Sequence, residues 1–242
     1  MLAATRDRFT SRPLAAARFV AQRGLLKAVV WSVTDVTVLG RECLKDVEDA
    51  YVVAANHTSH LDAPLILGAL PRRLARYLAA GAAADYFFDV RWRRGLTALF
   101  CNAFPVDRTG VNPRGVSAKT LLNRGVPLLI FPEGTRSRDG SPGTFKPGAA
   151  ALASSAGVPV LPAAIIGAHA AHPRGSKWPK RGRQPVGVVF GEPLTALPGE
   201  SAGAFTERIR SAIVKLAEEN SHRILGSNAI SPDVAAPEGD HS

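Results

Sequence analysis

Two short segments carry side chains able to move a proton and hold an anion. The first reads Asn56-His57-Thr58-Ser59-His60-Leu61-Asp62. It follows an apolar run, 51–55, and precedes a helix-prone one, so it reads as a turn at the end of a buried strand. A turn of this length can fold the Asp62 carboxylate back onto the His57 imidazole. The carboxylate would then fix the ring tautomer and stabilise the imidazolium, leaving the other ring nitrogen as a general base. A helix cap beside a surface histidine would show the same spacing. The chain has no Gly-x-Ser-x-Gly elbow, so such a base would act directly on an incoming hydroxyl, without an acyl-enzyme.

The second segment, Phe131-Pro132-Glu133-Gly134-Thr135-Arg136-Ser137, follows the most apolar strand-like run, 128–131. Gly134 lets the backbone come close to a ligand. Arg136 carries a planar fork suited to phosphate. Glu133 could position that loop or a substrate hydroxyl. Arg108, at the end of Phe104-Pro105-Val106-Asp107-Arg108, is a second phosphate candidate, with Asp107 orienting it. Lys146 precedes Pro147 at a helix start, where an anion can also bind. Val158-Pro159-Val160-Leu161-Pro162 reads most simply as a core strand with prolines at its ends.

The elements that must hold these segments alternate. The pattern predicts strands at 36–39, 51–55, 76–79, 103–106, 128–131, 160–166 and 186–190. It predicts helices at 61–70, 92–102, 112–124, 148–155 and 202–222. The fold class is therefore α/β, with a mixed central sheet flanked by helices. Residues 34–225 form this domain. An amphipathic helical segment, 1–33, precedes it, and a Pro/Ser/Gly/Asp-rich tail, 226–242, follows.

Charge narrows the partners. The 242 residues hold 30 Lys and Arg against 20 Asp and Glu, a net charge of +10, which calls for an anionic partner. Six basic residues and one acid fall between Met1 and Lys27. Leu14, Phe19, Leu25, Leu26 and Val29 share a broad helical face there, interrupted by Arg18. That pattern fits a helix lying on an anionic bilayer, or one packed on its own domain with a solvated basic side. Neither a spanning helix nor a secretory leader is predicted. Residues 172–184 add five basic residues, no acid and Trp178. Such a loop suits lipid headgroups or coenzyme A phosphates. Single-stranded nucleic acid is a remoter taker, since no nucleic-acid module is visible. The two cysteines, Cys43 and Cys101, show no zinc-ligand spacing and read as reduced thiols of a cytosolic compartment.

Taken together, four of these segments resemble the blocks of the glycerophospholipid acyltransferase family, which includes the bacterial lysophosphatidic acid acyltransferases. Residues 56–62 match its NHxSxxD block, 104–108 its second, FPEGTRS at 131–137 its third and 158–162 its fourth. The first and third are the specific ones. The resemblance implies His57 as catalytic base and Asp62 as its partner. It implies Arg108, Glu133, Gly134 and Arg136 around the acceptor's phosphate and glycerol, with Asn56, Ser59, Thr135 and Lys146 completing the substrate-binding set. A fatty acyl chain would pass from acyl-CoA or acyl-acyl-carrier protein to lysophosphatidic acid, giving phosphatidic acid in phospholipid biosynthesis. Glycerol 3-phosphate, another lysophospholipid or a glycolipid are the other acceptors. No metal, cofactor or covalent intermediate is implied. The place would be peripheral, on the cytoplasmic face of the cell membrane.

Overall fold

The computed structural model describes residues 9–48, 50–83, 102, 104–106, 117–176 and 178–226. The predicted helix 92–102, except Asn102, and the tail from 227 onward lie outside them, as does Arg108.

Seven strands form one mixed sheet among these residues. They are β1 (Thr34–Leu39), β2 (Val52–Ala55), β3 (Ala79–Ala83), β4 (Phe104–Val106), β5 (Leu128–Ile130), β6 (Val160–Ile166) and β7 (Gln184–Phe190), in the order β1-β7-β6-β2-β5-β3-β4. Strands β6, β2, β5, β3 and β4 run parallel. The β6–β7 pair is antiparallel, so β7 and its parallel partner β1 run the other way. Every residue of β2 is buried. Val53 and Ala55 enter one core, and Val52 and Ala54 the other. Period-two alternation sends successive side chains to opposite faces, and helices cover both.

The first core takes α3 (Asp62–Ala69), α4 (Arg72–Ala75) and α7 (Ala168–Ala171). The second takes α5 (Ala118–Asn123), α6 (Gly148–Ala156) and α8 (Ala202–Leu225). Two of these helices begin on serine caps: Ser117 Oγ accepts from the Thr120 amide, and Ser201 Oγ from that of Ala204. Of the helix predicted at 112–124, residues 112–116 lie outside the described residues, and the described part begins on the Ser117 cap. The strand predicted at 76–79 begins instead at Ala79, because Pro71 opens the α4 turn and uses the residues before it.

The N-terminal run is helical throughout: α1 (Arg12–Phe19), a wider π-helical stretch (Val20–Leu26) and α2 (Lys27–Val33). Its basic residues do not share the role expected of them. Arg18 is buried. Arg23 donates to the carbonyls of Gly68 and Leu70 at the end of α3, where a cation also opposes the negative end of the helix dipole. The Arg72 guanidinium lies over the Phe19 ring, so Phe19 faces the domain. Leu14, Val20, Leu25 and Val29 are exposed, and so are Pro13, Ala16, Ala17, Gly24, Ala28 and Ser32. Beyond Arg12, none of the exposed residues of these helices is charged; Arg23 and Lys27 are half-buried.

Gly68 makes this docking possible. A Cβ built there would lie 2.5 and 2.6 Å from two Trp31 ring carbons. Gly68→Ala is therefore expected to cost about 1–3 kcal/mol through overpacking. A lower Tm together with faster proteolysis near Trp31 would show it; an unchanged melt would refute the docking.

Candidate active site

The parallel strands β6, β2 and β5 end at one edge, where ligands of open α/β sheets gather. Asn56 and His57 continue from β2 and Phe131 to Glu133 from the adjacent β5. On the other side, Asn56 clamps β6: its Nδ2 donates to the Ile165 carbonyl at 2.9 Å, and its Oδ1 accepts from the Ile165 amide at 2.7 Å. A buried amide satisfied at both ends locks the start of the loop in place.

Within the loop, Asp62 Oδ2 lies 2.8 Å from His57 Nδ1. The same oxygen accepts from the amides of Thr58 (2.6 Å) and Ser59 (2.8 Å). Asp62 is fully buried, whereas the His57 side chain keeps 22% of its exposure. The imidazole stacks on Phe131, with centroids 4.1 Å apart and planes 15° from parallel. One face and one nitrogen of the ring are thus held by protein.

Glu133 joins the two sequence blocks. Its Oε1 accepts from the His57 amide at 2.8 Å, and its Oε2 from that of Gly143 at 3.2 Å. Burial raises its pKa, and the two amides oppose the rise. The Ser137 amide donates back to the His57 carbonyl at 2.7 Å. Gly134 adopts φ +71°, and the Lys146 ammonium lies 3.3 Å from where its Cβ would be. No other residue type would take that backbone easily and leave the lysine there. Thr135 is exposed on the same turn.

Arg136 Nη1 is buried and has no hydrogen-bond partner among the described residues. Its charge is felt nearby: the His60 pKa is lowered, first by burial and then by Arg136, His172 and His57. Ser59 is not placed as a nucleophile. It is fully buried, and its hydroxyl donates to the His172 carbonyl at 2.9 Å. Among the described residues no group of three or more His, Cys, Asp and Glu could hold a metal ion.

The structure thus brings His57, Asp62, Asn56, Ser59, Glu133, Gly134 and Lys146 into one network and places Arg136 beside it. Sequence reasoning missed Phe131 as a ring support, Gly143 as a partner of Glu133, and His172. Phe131 stood beside Glu133 and could have been named; His172 lies 113 residues from Ser59, and no spacing rule connects them. The 158–162 segment opens β6 at the opposite edge of the sheet, and Val160 and Leu161 are core residues.

The fold is thus a mixed α/β sheet presenting a His–Asp dyad beside an arginine-bearing turn, and the chain belongs to the acyltransferase family, whose model matches residues 35–166. A 1-acyl-sn-glycerol-3-phosphate acyltransferase of Chlamydomonas reinhardtii is 31% identical over 180 residues, 74% of this chain and 52% of that protein. The alpha form of the enzyme named so in Bos taurus is also 31% identical, over 71% of this chain and 59% of its own. The chain therefore spans between half and three-fifths of these relatives. The crystal structure of the 1-acyl-sn-glycerophosphate acyltransferase PlsC from Thermotoga maritima superposes with a TM-score of 0.66 at 28% identity. The match covers 89% of this chain and 84% of that one.

Proposed function

We propose that this protein transfers a fatty acyl chain from an acyl thioester, of coenzyme A or acyl carrier protein, to the free hydroxyl of lysophosphatidic acid. The observation that carries the reading is the His57–Asp62 dyad, with Asp62 buried and its Oδ2 at Nδ1. The names of the relatives support the acceptor. Nε2 of His57 takes the hydroxyl proton as the oxygen attacks the thioester carbonyl. The tetrahedral intermediate collapses, the C–S bond breaks, and the imidazolium returns its proton to the departing thiolate. Asp62 stabilises the imidazolium in between. The acceptor's phosphate takes the unpartnered Nη1 of Arg136, with Lys146 and Arg108 contributing charge. Glu133 works by positioning: both its oxygens are engaged by backbone amides.

The apolar outer face of the N-terminal helices rests on the membrane, so the enzyme works as a peripheral protein at the cytoplasmic face. No described helix is long and apolar enough to cross a bilayer. Apolar residues, more than Arg18 and Arg23, supply that contact.

Labelled acyl-CoA offered to a panel of acceptors tests the reading, with the acylated position of the product determined. Lysophosphatidic acid is expected to be preferred over glycerol 3-phosphate; the reverse order would move the assignment to the other acceptor. Arg136→Ala should lower kcat/KM for the acceptor about 10- to 100-fold, as expected for loss of a charged hydrogen bond. It should leave the donor KM near wild type and raise the His60 titration midpoint seen by NMR. Glu133→Gln should instead lower kcat at nearly constant acceptor KM. A rise in acceptor KM alone would make Glu133 a substrate ligand.

A further inference from the structure

The loop between α7 and β7 is not used by the chemistry. It exposes Trp178 to 81% and also exposes Arg174, Lys180, Arg181 and Arg183, with no acid between 172 and 184. A tryptophan this exposed has no packing role. The loop is nevertheless tied down. The Lys180 amide donates to the Ala171 carbonyl at 2.7 Å. Arg174 Nη1 donates to the Arg136 carbonyl at 3.3 Å. Arg183 Nη2 reaches the carbonyls of Trp31 (3.3 Å) and Thr34 (3.5 Å) where the N-terminal helices end. It thus links the turn that carries Arg136 to the helices with the apolar outer face.

We propose that this loop is a second docking element for an anionic lipid surface, set between the N-terminal helices and the active-site turn. The inference rests on the reading of those helices as membrane-contacting. Indole places an apolar ring and a polar N–H at the headgroup level, which suits a tryptophan this exposed to solvent. Among the described residues, only Arg183 of the flanking cations lies near an acid, 3.9 Å from Asp35 Oδ1; Arg174, Lys180 and Arg181 match anionic headgroups. Docking here would hold the Arg136 turn against the bilayer that supplies a phosphate-bearing acceptor.

The test uses the full chain, with vesicles of phosphatidylcholine alone and with added phosphatidylglycerol. Each basic residue at such a surface favours binding about fivefold. Lys180→Ala/Arg181→Ala should therefore lower partitioning onto the anionic vesicles about 25-fold, while hardly changing it on the neutral ones. Trp178→Ser should weaken both. The wild-type minus Trp178→Ser emission should shift to the blue on vesicle addition. Turnover of a short-chain acceptor dispersed as monomers should stay unchanged in both, showing that the variants fold. Wild-type partitioning by the loop variants would overturn the proposal. So would a raised KM for acyl-CoA without vesicles, which would assign the loop to the donor's phosphates. Leu25→Glu/Val29→Glu separates the two readings. If that variant loses vesicle binding and the loop variants do not, only the loop proposal fails. If wild type binds no vesicles, both fail.

Discussion

His57→Ala is expected to remove acyl transfer while the protein stays folded. General-base catalysis contributes about a hundred- to ten-thousandfold, so kcat should fall by that factor. The fold should survive because the loop is held by the backbone of His57, not its ring. The His57 amide donates to Glu133, and its carbonyl accepts from Ser137. The ring contributes its stack on Phe131, worth about 0.5–1.5 kcal/mol, and its Nδ1 contact with Asp62 Oδ2, an oxygen that keeps the Thr58 and Ser59 amides when the ring is gone. Steady-state assay with thermal unfolding checks this. A variant with near wild-type turnover would end the mechanism, and one that fails to fold would show that the ring is structural.

The second large effect is expected at Asp62. Asp62 Oδ2 collects three donors, from His57, Thr58 and Ser59. Asp62→Asn keeps the shape and an oxygen that can still accept from the two amides. It removes the charge that stabilises the imidazolium. The expected loss in kcat is about a hundred- to ten-thousandfold, with the acceptor KM little changed. Asp62→Ala would strand three donors in a buried site and should also cost stability, about 1–3 kcal/mol for each unpaired group. Asparagine is therefore the informative variant. A KM effect with intact kcat would mean that Asp62 holds substrate and does not serve the base.

The reading of Glu133 bears on how such sites are assembled. A carboxylate inside a conspicuous sequence block invites assignment to the ligand. Here its two oxygens bind one amide from the His57 loop and one from Gly143, stitching the ends of β2 and β5 together. Burial raises its pKa, so acid protonates it more readily than an exposed glutamate. A protonated carboxyl has one oxygen committed as a donor and cannot accept both amides equally well. Loosening of the His57 loop at low pH would then lower turnover.

The N-terminal helices show where pattern reading stopped. Periodicity identified an amphipathic segment, and Leu14, Leu25 and Val29 do point outward. The same periodicity grouped Phe19 with them, although its ring lies under Arg72. It also set the arginines toward lipid or solvent, whereas Arg18 is buried and Arg23 serves the end of α3. A helical wheel assumes a uniform turn, and the wider stretch at Val20–Leu26 breaks that assumption. Which face meets the domain also depends on Gly68, which lies on another helix.

The sequence by itself determined which side chains could carry the chemistry proposed here. A base and its carboxylate lie within one turn, so local chain geometry alone can bring them together. The FPEGTRS segment announces an anion-binding turn through residue type, and apolar runs announce the buried strands that carry both. Tertiary structure decided what each remaining residue does. Strand order set β5 and β6 on either side of β2, and only that order gives Asn56 its partner in Ile165 and Glu133 its partner in His57. These contacts join residues 76 and 109 positions apart. The physical reason is that spacing encodes contacts only within a turn or a helix, whereas pairing across a sheet depends on how the whole chain packs.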